Sequence, residues 1–301
     1  MPNVPTAFPL IAQRLFNRAL MIRPEKAELI VAALASRLGI ARLDIMDPNG
    51  VRTLQAGEFQ ALLSDDLGLP GEYRGYDVTD GVAVIPVEGT LVNKLGTLRP
   101  WSGMTGYDGI RASYLNALED SDVRAIAFDI DSPGGEVSGC FDLVDLIYQN
   151  RGIKPCWAIL TDMACSAAYA IASACDEISL PRTGFAGSVG ACTMHVDWSK
   201  ALSEDGIGVT LIFGGAHKVD GNPYQPLPAD VRDSIQSEID TVVNLFVETV
   251  ARNRDIPADK IRATEARVYM GQAAVDVGLA DQVEASDEAF EALLATLKSP
   301  T

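Results

Sequence analysis

A serine stands where one apolar run stops and the next begins. Cys156-Trp-Ala-Ile-Leu160 reads as a short strand, Thr161-Asp162 interrupts it, and Ser166-Ala-Ala-Tyr-Ala-Ile-Ala-Ser-Ala174 resumes as a helix. A hydroxyl at a strand-turn-helix junction stands clear of the sheet, beside unpaired helix N–H groups that favour a developing negative charge. Ser166 is therefore a candidate nucleophile, and the N–H of Ala167 a candidate oxyanion donor. A second loop, Asp131-Ser-Pro-Gly-Gly-Glu-Val137, follows the strand-like run Val123–Ile130. Its glycines let the backbone approach a ligand and aim N–H groups outward where a Cβ would obstruct, so Gly134 and Gly135 are candidate oxyanion residues.

A serine hydroxyl needs a base. The chain has two histidines: His195, which ends a predicted strand, and His217, within His217-Lys-Val-Asp-Gly-Asn-Pro-Tyr224. Lys218 is the alternative. An amine with an unperturbed pKa of ~10.4 costs about 4.6 kcal/mol to neutralise at pH 7, so a lysine base requires a desolvated site. Ser188, in Ala186-Gly-Ser-Val-Gly190, can offer a hydroxyl that holds such an amine in line. On spacing alone the choice between histidine and lysine stays open, and a reactive Cys165 is a lesser alternative.

The elements that must position these groups alternate from Gly81 onward. Strands are predicted at 81–87, 123–130, 156–160, 177–180, 189–196 and 209–213. Helices are predicted at 107–120, 137–151, from Ser166, at 198–204 and at 229–254, where Val231, Ile235, Ile239, Val242, Val243, Phe246, Val247 and Val250 form one stripe. A short strand-helix-strand ending follows at 265–283, then a helix at 287–297. Such alternation implies an α/β fold of repeated β-α units, with a parallel sheet covered by helices on both faces. Residues 1–77 form a separate, helical-looking docking or assembly section, with a helix at 24–38, a weaker one at 54–67 and a Gly-rich linker at 65–76. Residues 78–284 carry the chemistry, and 285–301 read as a C-terminal helix and the start of a linker.

The net charge of −17 argues against a nucleic-acid binder, which needs clustered Lys and Arg. Five cysteines, an odd number without C-x-x-C spacing, read as small buried hydrophobes and not as a disulfide frame or zinc site. Neither a metal nor another cofactor is expected. No apolar run approaches the ~18 residues of a membrane span.

Four segments in order, Asp131-Ser-Pro-Gly-Gly135, Cys165-Ser-Ala-Ala-Tyr169, Thr183-Gly-Phe-Ala-Gly-Ser-Val-Gly190 and His217-Lys-Val-Asp-Gly-Asn-Pro-Tyr-Gln-Pro226, resemble the signal peptide peptidase A (S49) family of serine peptidases. With Gly89-Thr-Leu-Val92 and Ser102-Gly-Met-Thr-Gly-Tyr107, the resemblance is closer to the family's bacteriophage capsid assembly branch. It implies a ClpP/crotonase-like fold and a Ser-Lys dyad from one chain, with Ser166 as nucleophile and Lys218 as base and later acid, 218 − 166 = 52 residues apart. It further implies Ser188 as the lysine-orienting hydroxyl, Gly135 in the oxyanion loop, and assembly into a homo-oligomeric ring. The implied substrates are phage head proteins, chiefly the scaffold, with portal or capsid proteins as further partners, in the host cytoplasm and the procapsid interior. Two departures are visible. The Ser-Gly-Gly of the bacterial peptidases is Ser166-Ala-Ala here, and the scaffold region that often follows in the phage branch is missing, separately made or removed. The rival readings are a bacterial signal-peptide-peptidase-like protease, a crotonase-like acyl-CoA enzyme, and a non-catalytic capsid- or scaffold-binding subunit.

Overall fold

Within the strand Ala125–Glu136, alternate residues serve two different cores. Ile126, Phe128 and Ile130 join a large cluster beneath the helices, while Ala125 and Ala127 join a smaller cluster on the opposite face, as the two-residue period of a strand requires. The computed structural model describes residues 20–22, 42–47, 50–55, 75–95 and 103–297. The described strands are β1 (Leu20–Ile22), β2 (Arg42–Asp47), β3 (Gly50–Gln55), β4 (Asp77–Thr79), β5 (Val82–Val92), β6 (Met104–Gly106), β7 (Ala125–Glu136), β8 (Cys156–Cys165), β9 (Glu177–Leu180), β10 (Phe185–Gly187), β11 (Val268–Met270) and β12 (Gln282–Val283). The described helices are α1 (Tyr107–Glu119), α2 (Cys140–Gln149), α3 (Ala167–Ser173), α4 (Ser199–Glu204), α5 (Ala229–Arg254), α6 (Ala258–Arg262), α7 (Gln272–Asp276) and α8 (Ser286–Thr296).

Ten of the strands form one mixed, mostly parallel sheet whose main path runs β11-β10-β8-β7-β5-β4. Its centre, β5, β7 and β8, is parallel throughout. β8 changes partner along its outer edge: Trp157–Ile159 pair with β9 and Met163–Cys165 with β10. β7 does the same. β5 keeps one of its edges, whereas β8 holds the other only as far as Ser132, beyond which β1 pairs antiparallel with Gly134–Glu136. β2 and β3 form a separate two-stranded antiparallel sheet.

The helices cover the faces unequally. α1, α2, α3 and α5 contribute to the large core, and α3 lies at its centre against β7, β8, α2 and α5. The opposite face is covered by α8, whose Ala289, Leu293 and Leu294 pack on Val82, Ala127, Trp157 and Ile159. The expected stripe of α5 is borne out: Val231, Phe246, Val247 and Val250 are buried and the intervening positions are half-buried.

Several expectations need correction. Residues 189–196 are not a strand; apart from a single bridge at Cys192 they run irregularly, and the sheet strand is β10 instead. The ladder stops there because Gly187 and Ser188 both take positive φ, 124° and 57°, and carry the chain out of the sheet. Val209–Phe213 has a strand-like composition but no ladder among the described residues, and Ile212 is 96% exposed. β propensity needs a neighbouring edge to be realised. The helix expected at 24–38 lies outside the described residues. Of the one expected at 54–67, Leu54 and Gln55 belong to β3 and the rest lies outside.

Arg151 ties the helical layer together. Its guanidinium donates to the carbonyls of Ser173, Ala174 and Cys175 at the end of α3 and just past it, and to that of Asn253 near the end of α5, satisfying acceptors that a helix end leaves open. Arg151→Met should therefore lower unfolding free energy by about 2–4 kcal/mol in urea titration. Gly135 has no room for a side chain, since a Cβ there would stand 1.8 Å from the Leu91 carbonyl oxygen. Gly135→Ala should force β5 and β7 apart and cost about 1–3 kcal/mol or more by the same assay.

Candidate active site

β8 passes into α3 through one residue. Ser166 is the N-cap of α3, with φ 55° and ψ −121°, a conformation that costs a non-glycine residue of order 1–3 kcal/mol. The surroundings hold it there. Its N–H donates to the Gly187 carbonyl at 2.8 Å, and its own carbonyl accepts from the N–H of Ala170 at 3.0 Å. Its Oγ donates to the Gly190 carbonyl at 3.4 Å, and the residue is 1% exposed. Ala167, next in the chain, opens the first helical turn, where N–H groups have no intrahelical acceptor.

The segment 187–190 thus wraps the serine. Gly187 is in register with Cys165 across the parallel β8–β10 pair, so the following residues, Ser188 and Ser166, leave the sheet side by side. Ser188 is buried, with a left-handed backbone fixed by donation of its N–H to the Arg267 carbonyl at 2.9 Å. Ser166, Ala167 and Ser188 are therefore brought together.

The glycine loop ends at the same level of the sheet. Ser132 pairs with Ala164 in the last contact between β7 and β8, so Gly134 and Ser166 each follow that contact by two residues. Gly134 has φ 103°, and its N–H donates to Ser132 Oγ at 3.2 Å. That hydroxyl in turn donates to the Gly89 carbonyl at 2.6 Å. Ser132 is fully buried and buckles the loop to β5, a role that sequence reasoning missed by attending to the glycines alone. The available signal was a small hydroxyl residue two positions before a glycine, which favours local side-chain-to-backbone bonding. Beyond the loop, Tyr107 donates its hydroxyl to the Glu136 carbonyl at 2.7 Å, and the Glu136 carboxylate accepts from the N–H of Asn93 at 2.8 Å.

The candidate bases lie elsewhere. Lys218 is on the exposed turn after Gly215, and no hydrogen bond joins it to Ser166 within the single chain. His195 Nε2 meets the Asn222 carbonyl at 3.1 Å, and the exposed His217 pairs through Nδ1 with Asp220 at 2.8 Å. Neither histidine bonds the serine.

The nearby thiols are poor competitors as nucleophiles. All five cysteines are free. Burial pushes the Cys140 thiol up to about 12, and its Sγ rests 3.7 Å from the Ala167 carbonyl. Burial also raises the half-buried Cys192. Such thiols stay protonated near neutral pH, whereas the thiolate is the reactive form. Among the described residues no group of three or more His, Cys, Asp or Glu side chains could hold a metal ion, and no helix is long and apolar enough to cross a membrane.

A buried, backbone-strained serine at a strand-helix junction, flanked by open helix N–H groups and a glycine loop, suits nucleophilic attack on an acyl group with oxyanion stabilisation. Comparison with known proteins agrees. The chain is 43% identical to the capsid assembly protease C of Escherichia phage lambda over 283 residues, covering 94% of this chain and 64% of that protein. It is 41% identical to the head-tail preconnector protein GP5 of Enterobacteria phage P21 over 290 residues, 94% of this chain and 56% of that protein. It therefore spans less than two thirds of either relative's length. Protease 4 of Haemophilus influenzae is 26% identical over 228 residues, 73% of this chain and 35% of that protein. Residues 149–299, which include Ser166, Ser188 and Lys218, match the description Peptidase family S49, and the chain belongs to that family.

Proposed function

We propose that the chain is a serine endopeptidase of ClpP/crotonase-like fold that cleaves phage head proteins, chiefly the scaffold, inside an assembling procapsid, with portal or capsid proteins as further partners. The observation that carries this reading is the left-handed backbone of Ser166 at the N-terminus of α3. Support for the head-protein substrate comes from the names of the two phage relatives.

In the proposed reaction Ser166 Oγ attacks the scissile carbonyl and passes its proton to the neutral amine of Lys218. The N–H groups of Ala167 and Gly135 stabilise the tetrahedral oxyanion, and that of Gly134 joins them only if it leaves Ser132 Oγ. Collapse expels the leaving amine, which takes the proton from Lys218, and water then hydrolyses the acyl-enzyme by the same relay in reverse. Ser188 orients the lysine. Lys218 must first be brought to the serine and dried. Its loop suits that role, because Ile207, Val209, Ile212 and Phe213 all present apolar surface to solvent just ahead of it, with Trp198 and Tyr224 also exposed nearby. Covering this surface by a second copy of the chain would desolvate the amine, which is the reason we assign a homo-oligomer as the working form.

Ser166→Ala and Lys218→Ala should each reduce cleavage of a co-expressed scaffold by at least about 10³-fold while leaving the melting temperature unchanged. Lys218→Arg should be equally inactive, because a guanidinium keeps its proton, whereas His195→Ala should change little. Full cleavage by either alanine variant, read on a gel of the co-expressed proteins, would remove the dyad.

A further inference from the structure

The edge of β7 next to Ser166 is already occupied. β8 holds that edge up to Ser132 and then turns away into Ser166, leaving the N–H and C=O groups of the next residues to find other partners. They find them in the chain's own N-terminal section: Leu20 pairs with Glu136, Met21 with Gly135 and Ile22 with Gly134, antiparallel. The β7–β8 ladder ends at Ser132 and Ala164, two residues before Gly134 and Ser166 respectively, so Ile22, paired with Gly134, lies along the stretch of edge that β8 gives up as it turns into Ser166. An unpaired strand edge is a template for any extended backbone, and adding a strand to such an edge is a general way of binding a peptide.

We propose that Leu20–Ile22 occupies the position that a substrate backbone must take, so that the N-terminal section competes with substrate for the serine. The proposal rests on the reading of Ser166 as nucleophile. Two features favour an occupant that comes and goes over a permanent part of the sheet. β1 is three residues long, and it is the only described strand on that stretch of edge. As part of the same chain, Leu20–Ile22 competes intramolecularly, at an effective concentration on the order of mM, enough to hold off dilute substrates and to yield to a scaffold packed densely against the enzyme.

The test uses the full-length chain and a Met21→Pro/Ile22→Pro double variant. Adjacent strand residues point their N–H groups to opposite sides, so one of the two prolines removes a ladder donor whichever residue faces β7. Two quantities are followed: the rate at which a fluorophosphonate acylates Ser166, by intact mass, and the deuterium exchange of the amides at 134–136. The expected result is acylation at least about fivefold faster in the variant together with lost amide protection, and restoration of the slow rate by millimolar synthetic peptide of residues 18–24. Unchanged protection would show that the pairing is not made in solution, and lost protection with an unchanged rate that the edge does not gate the serine. Either result overturns the proposal while leaving Ser166 as nucleophile. Absence of acylation in both chains would remove the nucleophile itself, and the competition with it.

Discussion

The handover from β8 to α3 at a single residue is the constraint that the rest of the structure serves. Cys165 is still in the sheet ladder and Ala167 is already helical, so Ser166 absorbs the whole change of direction in its own backbone. A left-handed serine is kept only if its neighbours cannot relax. The Gly187 carbonyl holds its N–H, α3 holds its carbonyl, and α3 is buried along its entire length. That burial explains the run of alanines. A helix enclosed by β7, β8, α2 and α5 has room for little beyond a methyl group at most positions, and the larger Tyr169 is accommodated by donating its hydroxyl to the Leu279 carbonyl at 2.9 Å.

The residues of the proposed chemistry divide between a rigid and an exposed half. The serine, its following N–H, Ser188 and the glycine loop are all set by strand register and buried hydrogen bonds, so their relative positions follow from the sheet itself. The segment from about residue 191 to the start of α5 has few such restraints and carries most of the exposed large apolar side chains among the described residues. If Ser166 and Lys218 act as proposed, preorganisation on the serine side and a separately docked lysine side would keep the serine geometry intact while the lysine stays exposed.

What could be read from the chain beforehand follows the range of the forces involved. Ser166 was legible because a hydrophobic run breaks and resumes with a different period around it, and α1, α4, α5 and α8 were legible from local periodicity. The parallel centre of the sheet followed from alternation of elements, whereas its antiparallel pairs with β1, β4 and β11 did not. Strand pairing was not legible. Val209–Phe213 has the composition of a strand without a partner edge, and the β10 ladder ends at Gly187 because two successive residues turn left-handed, which no window of hydropathy records. Leu20-Met-Ile22 is too short to signal a strand at all, and its partner lies more than a hundred residues away. Ser132 was in view within its motif, but its bond to Gly89 depends on β5 lying alongside. The exposed position of Lys218 was not legible either, since nothing in the residues of its turn distinguishes an exposed turn from one packed on the serine.

The unequal covering of the sheet has a consequence for synthesis. The face carrying Val82, Ala127, Trp157 and Ile159 is closed by a helix roughly 130 residues downstream of Trp157, beyond every strand of that sheet. On the ribosome, the strands that frame Ser166 can therefore be complete while their other side is still bare to water. Contacts of such long sequence separation are slow to form, and uncovered strand surface in the interval is prone to association. Until α8 has emerged, a nascent chain would carry the strands around Ser166 on a half-covered sheet.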